Sequence, residues 1–314
     1  MDSKIALGVD IGGTTVSFAV VNESGDLLFQ DVAKTKSFDT PDKMIDHIYH
    51  AVEQSGYAKR LDGIGVGAPN GNHFTGTIEY APNLQWKGII PLKQLFEDRF
   101  NCKTVLTNDA NAAAIGEMLF GKAKQLSNFV TITLGTGLGS GIVVDRKIVY
   151  GAHGFAGEYG HIIVIPDGRT CGCGRKGCLE SYASSTGVVK SIAELDSVYE
   201  ADVKKLRAIS NLTSKDVAIE AQNGNEFAKE IIDYTAKILG FSLANFQCFS
   251  DPEAYVLFGG CANLGQPFAD RVKQYMEDFN LNIYKGKAEV LISGLQEENA
   301  AVLGNAAMIL KDII

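Results

Sequence analysis

Apolar and β-branched residues crowd residues 5–10 and end at Asp10, which reads as a buried strand. Gly12-Gly13-Thr14-Thr15 follows as a turn. Residues 16–21 then read as a second strand, Gly25-Asp26 as a turn, and residues 27–32 as a third strand. Thr40 before Pro41 marks a helix start, with Met44, Ile45, Ile48, Ala51 and Val52 as its apolar stripe. Residues 63–68 read as a strand and residues 69–91 as a long polar loop. The plan then returns. A strand at 129–134 leads into a Gly/Thr-rich turn at 135–141, and strands follow at 142–145 and 147–150. An insert at 151–180, a long helix at 225–249, a strand at 254–258 and a last helix at 299–313 complete the pattern. Strand, glycine turn, strand, turn, strand thus occurs twice, and two similar lobes with a cleft between them are expected.

Composition narrows the class. A length of 314 residues suits about two domains, and 46% hydrophobic with 21% charged residues is globular. The net charge of −8 and the lack of a Lys/Arg run exclude nucleic acid or an anionic membrane as main partner. The first apolar run is broken at Asp10, too soon for a signal peptide, and no stretch reaches the ~18 apolar residues of a membrane span. A cytoplasmic location is expected. In a reducing compartment, three of the six cysteines within eight residues read as metal ligands before disulfides.

Four constellations carry chemistry. At 10–15, backbone N–H groups of a glycine turn can approach an anion closely, Thr hydroxyls add donors, and Asp10 can hold Mg²⁺ through water; a plain hairpin turn has the same signature. The second turn at 135–141 favours a polyphosphate gripped by two such turns. Neither is a Walker A loop, because no Gly-Lys-Ser/Thr follows. Asn108-Asp109 stands between a strand at 104–106 and an alanine-rich helix, where it is either a helix cap or a general base for an alcohol. Cys171, Cys173 and Cys178, in a C-x-C-x4-C packed with glycines, read as structural zinc ligands; spacing alone offers His161 as the fourth. Glu158 and Glu180 flank that set, either as solvated surface carboxylates or as acceptors for sugar hydroxyls.

The runs at 10–14, 134–141, 158–161 and 171–180 resemble those of the ROK family (repressor, open reading frame, kinase) over essentially the whole chain. The resemblance implies an α/β, two-lobed, actin-like (ribonuclease-H-like) ATPase fold, with a cleft between duplicated lobes and a small zinc-bound insert. The lobes are expected at 1–108, joined by the C-terminal helix 299–314, and at 109–298, which holds the insert 151–180. It also implies ATP-dependent phosphorylation of a hexose, with ATP and Mg²⁺ as cofactors and a structural Zn²⁺. Asp109 would be the base; Gly67, Asn70, Asn83, Asn108, Glu158, His161 and Glu180 would contact sugar, and His161 would also ligate zinc. Asp10, Gly12, Gly13, Thr14, Thr15, Gly135, Thr136, Gly137, Gly259 and Gly260 would contact nucleotide and metal. Where many members carry Gly-x-Pro-Gly, this chain has Gly67-Ala68-Pro69-Asn70, a departure in the sugar loop. Glucose is the expected hexose and a homodimer the expected assembly. The rivals are an N-acetylmannosamine or other hexose kinase, and a sugar-responsive regulator lacking its DNA-binding module.

Overall fold

The computed structural model describes residues 3–295 and 297–311. In chain order the elements are β1 (Ile5–Ile11), β2 (Thr15–Asn22), β3 (Leu27–Lys34), α1 (Pro41–Gln54), β4 (Gly63–Gly67), β5 (Gly71–Asn72), β6 (Thr77–Glu79), β7 (Ile89–Ile90), α2 (Leu92–Phe100), β8 (Thr104–Thr107) and α3 (Asp109–Leu119). There follow β9 (Phe129–Leu134), β10 (Leu138–Val144), β11 (Lys147–Ile148), α4 (Glu180–Ala183), α5 (Ser185–Glu194), α6 (Glu200–Arg207), α7 (Ser214–Gln222), α8 (Glu226–Ser250), β12 (Ala254–Phe258), α9 (Gln266–Phe279), β13 (Glu289–Ile292) and α10 (Glu297–Leu310). Contacts divide the chain into a first unit (1–127, 141–157 and 294–314) and a second unit (128–140 and 158–293).

The strand repeat read from the sequence is present. One five-stranded sheet runs β3-β2-β1-β4-β8 and the other β11-β10-β9-β12-β13. Each has its third, second, first, fourth and fifth strands in that order. Within them β1–β2 and β2–β3 are antiparallel, while β1–β4, β4–β8, β9–β12 and β12–β13 are parallel. This duplicated mixed sheet is the actin-like plan.

In the first unit, Leu7, Val9, Ile11, Phe18, Met44, Ile48, Ile64 and Phe96 form a core on one side of the sheet. On the other side α10 lies so close that a Cβ at Gly8 would stand 2.1 Å from Val302 O, and one at Gly65 1.8 Å from Asn305 O. Only glycine permits that approach of a helix to strands. Asn305 Nδ2 then donates to Val9 O at 2.7 Å. The same helix packs on α3, which therefore belongs with the first unit even though the expected lobe boundary precedes it.

Thr40 caps α1 through Lys43 N–H, and Asn225 caps α8 through Ala228 N–H, as Ncap residues do. Two expectations need correction. The stretch 69–91 is no plain loop: β5, β6 and β7 form a three-stranded sheet, and Ile78, Leu84, Trp86 and Ile90 are buried. Strands of two or three residues are too short to show alternation. The second glycine turn is also shorter than 135–141, because β10 begins at Leu138, with Leu138 and Ser140 buried and Gly139 half-buried between them. Gly141 is buried next to Ser140, so the alternation breaks at the second glycine of the strand. Among the described residues no helix is long and apolar enough to cross a membrane.

Candidate functional site

In the first unit the site residues gather at the carboxyl ends of the parallel strands. Asp10 pairs in register with Gly67, and Gly67 with Thr107. The turn after Asp10 closes through Gly12 N–H to Thr15 O at 2.8 Å and is held by Thr35, whose hydroxyl donates to Gly12 O at 2.7 Å. Thr14 and Thr15 are exposed there. Asn108 is the Ncap of α3: its Oδ1 accepts from Ala110 N–H at 2.8 Å, and Asp109 Oδ1 accepts from the same group. Capping therefore holds for Asn108 and leaves the second carboxylate oxygen of Asp109 free of that bond.

Electrostatics single out the two carboxylates. Burial and the neighbouring Asp109 push Asp10 up to about 7. Asp109 keeps an exposed edge, yet the protein crowding around it raises its carboxyl as well, against the lowering effect of Ala110 N–H. Two acids that each resist ionisation suit a divalent cation on the Asp10 side, since a cation relieves their repulsion.

The sugar-loop residues are placed less uniformly. Asn70 adopts φ 53° and spends its amide N–H on Glu79 O at 2.8 Å. Asn83 is exposed, and a Cβ at Gly13 would lie 2.7 Å from Asn83 O. Gly13 thus packs against the Asn83 segment. Neither Gly13 nor Gly137 has a left-handed φ, so the backbone freedom of glycine is not what either position requires.

In the second unit, His161, Cys171, Cys173 and Cys178 offer four donor atoms, all within 4.8 Å of one another. Cys173 Sγ to Cys178 Sγ is 3.7 Å, as is Cys171 Sγ to His161 Nδ1. Zinc–sulfur bonds of about 2.3 Å at tetrahedral angles put sulfurs about 3.8 Å apart, so the set fits zinc and leaves no position for a catalytic water. The thiols are unequal: burial is outweighed at Cys173 by hydrogen bonds from Arg175 and its sister thiols, which bring it down to about 6, while burial and those thiols push Cys178 up to about 12. A divalent cation would hold all of them as thiolates.

Glu180 opens α4 two residues after Cys178. Its Oε2 accepts from Leu138 N–H at 2.9 Å, and its Oε1 lies 3.6 Å from Cys171 Sγ. A Cβ at Gly137 would stand 2.4 Å from Glu180 Oε2. Glycine at 137 is thus demanded by a side chain of the protein itself, whereas a Cβ at Gly135 would meet nothing within 4 Å. Glu158 is exposed and its carbonyl accepts from His161 N–H.

The Gly135 turn meets two further segments. Ser185 N–H donates to Gly135 O at 2.9 Å, and the Thr186 hydroxyl to Thr136 O at 2.9 Å. Gly259, at φ 97°, and Gly260 pack on Leu134 and on the Ser185 hydroxyl. The start of α5 was missed by sequence reasoning. Its signal is Ser184-Ser185-Thr186-Gly187, a run of cap residues before an apolar helix. The N–H groups of Ser185, Gly187 and Val188 are spent within the protein, on Gly135 O, the Ser184 hydroxyl and Ser184 O, so this helix start braces the turn.

Comparison with known proteins matches residues 6–312 to the ROK family model. A glucokinase of Halalkalibacterium halodurans is 36% identical over 318 residues, covering 98% of this chain and 96% of that protein. A xylose repressor of Caldicellulosiruptor bescii is 29% identical over 98% of this chain and 78% of its own length. The crystal structure of a ROK family glucokinase from Streptomyces griseus, in complex with glucose and AMPPNP, superimposes with a TM-score of 0.82 at 32% identity, over 97% of this chain and 98% of that one.

Proposed function

The chain belongs to the ROK family, and from that premise we propose that it is an ATP-dependent sugar kinase that phosphorylates the 6-hydroxyl of glucose. The observation that carries the reading is Asp109. It is a carboxylate held at the first turn of a helix by its own cap, raised by its surroundings and still open at one edge. A raised carboxyl is a stronger base once ionised, and transfer to an alcohol needs its proton removed.

Asp109 takes the proton of the sugar 6-hydroxyl as that oxygen bonds to the γ-phosphorus and the bond to the bridging oxygen breaks, releasing ADP. Asn108, Asn83, Gly67 and Asn70 would bond hexose hydroxyls, as would Glu158, His161 and Glu180. The backbone at Gly12, Gly13, Thr14 and Thr15, and at Gly135, Thr136 and Gly137, holds phosphate oxygens. Gly259 and Gly260 lie against the nucleoside. Asp10 would hold Mg²⁺, which offsets charge on the triphosphate when bound. The zinc set would fix the segment that carries Glu158, His161 and Glu180.

Glucose is favoured by a set of groups rich in hydroxyl acceptors and donors and by the glucokinase relatives. A site built to bond a hydroxyl rejects an analogue lacking it by up to ~10⁴-fold. A hexose panel with coupled ADP release tests this. The expected ranking in kcat/KM puts glucose above mannose and fructose, with N-acetylmannosamine near background, and 6-deoxyglucose binds without turnover. Asp109→Asn should lower kcat by at least ~10²-fold. A panel led by N-acetylmannosamine refutes the choice of sugar, and normal turnover by Asp109→Asn refutes the base. The repressor relative favours, as a second reading, a sugar-responsive regulator. That reading requires sugar binding with no ADP release from any hexose.

A further inference from the structure

Strand β8 ends one sheet, so one of its edges has no strand beside it. Carbonyls along a strand alternate in direction. Lys103 O and Thr107 O accept from Ile64 N–H and Ala68 N–H and so point toward β4. Leu106 O points to the open edge. There it lies 3.2 Å from His73 Nδ1, whose N–H donates to it in the matching tautomer. Leu106 stands three residues before Asp109, at the point where the chain leaves the sheet to start α3.

His73 is itself held from two directions. Its ring stacks on Tyr150, with centroids 4.2 Å apart and planes 10° from parallel. Its neighbour Asn72 is buried and organises the hairpin: Oδ1 accepts from Phe74 N–H at 3.0 Å, while Nδ2 donates to Glu79 Oε1 at 3.1 Å and to His153 O at 3.0 Å. Burial lowers the imidazole below its usual range, which keeps it neutral and able to sit against Tyr150 and a carbonyl. The arrangement spends a buried amide and two rings on fixing one edge carbonyl beside the Asn108-Asp109 corner.

We propose that His73 is a positioning residue for Asp109: by bonding Leu106 O at the free edge of β8, it sets the direction in which the Asn108-Asp109 corner leaves the sheet. The inference rests on the reading of Asp109 as the base. A strand edge held only on its inner side can twist, and a base displaced by about 1 Å loses on the order of 10²-fold in rate. Contacts to ATP are untouched, so kcat falls while the KM for ATP stays; the KM for glucose rises with the loss, because Asn108 shares the corner.

Two variants separate the donor from the stack. His73→Phe keeps an aromatic ring against Tyr150 and loses the N–H. His73→Asn places an amide N–H where Nδ1 stood and loses the ring. The expected result is a kcat lowered ~10- to 100-fold in His73→Phe with the KM for ATP within about twofold, and recovery of most of kcat in His73→Asn. In single-turnover measurements on the Asp109→Asn background, His73→Phe should add no further loss, as for residues acting through one group. Wild-type kcat in His73→Phe beside an inactive Asp109→Asn overturns the positioning role and leaves the base reading standing. An equal further loss on the Asp109→Asn background also overturns it. Normal turnover in Asp109→Asn removes the base and this proposal together.

Discussion

Gly137→Ala tests whether Glu180 is a sugar ligand. The new Cβ would stand 2.4 Å from Glu180 Oε2 and 3.3 Å from its Cδ. The obstructing atom is the end of a flexible side chain, so the methyl displaces the carboxylate and leaves the fold intact. Glu180 then leaves Leu138 N–H, now 2.9 Å away, and leaves the place from which it would meet a sugar hydroxyl. A hydrogen bond to a charged group contributes about 1.5–3 kcal/mol, and each 1.4 kcal/mol is tenfold, so glucose affinity should fall about 10- to 150-fold. Gly135→Ala is the control. Its Cβ meets no atom within 4 Å and its φ is not left-handed, so the methyl occupies open space beside the turn. It should leave glucose affinity within about twofold and raise the KM for ATP, by keeping phosphate from the backbone. Calorimetry with glucose in the absence of nucleotide, paired with ATP saturation curves, measures both. Wild-type glucose affinity in Gly137→Ala, with an unchanged thermal midpoint, refutes the role of Glu180.

Wild-type protein should contain one zinc per chain by elemental analysis, and Cys173→Ser should lose it together with glucose affinity; metal-free wild-type protein whose activity ignores chelators refutes the site. The Asp10 carboxyl is raised to about 7 in the fold, so between about pH 4 and pH 7 the native chain keeps a proton that the unfolded chain releases. The contribution of this group to stability is therefore fullest below pH 4 and falls as pH rises through that window. Asp10→Asn should flatten the fall in thermal midpoints, and an unchanged slope refutes the assignment.

The repeat was legible because each half opens on strands with clean apolar runs, and because glycines punctuate both copies at the same place. Thr40-Pro41 and Asn225 marked helix starts for a physical reason, since a side-chain oxygen must meet an orphan N–H. The zinc set was legible because its three cysteines lie within one short segment. What was hidden depends on contacts distant in sequence. The two-residue strands β5 and β7 have no periodicity to read, and exist because each pairs with β6. His73 carries no signal in the sequence, because nothing near it announces the edge carbonyl of Leu106 that it meets. The glycines differ in another way. Gly13 and Gly137 carry a second demand that the sequence does not display: each is pressed against protein, on Asn83 and on Glu180, beside the phosphate role proposed for its backbone.

That last difference changes what the second unit is built to do. Arg169 joins the zinc segment to α5, donating to Gly187 O at 3.0 Å, to the Ser191 hydroxyl at 2.9 Å and to Glu194. The first residues of α5 bond Gly135 O and Thr136 O. Glu180, between a zinc-ligand cysteine and Leu138 N–H, closes the ring. The cysteine cluster, the proposed sugar carboxylate and the proposed phosphate turn therefore share one frame of hydrogen bonds. A zinc ion held by this cluster would govern both substrates, because the segment it fixes holds the turn through Glu180. Loss of zinc should accordingly weaken glucose and ATP together, whereas Gly135→Ala weakens ATP alone.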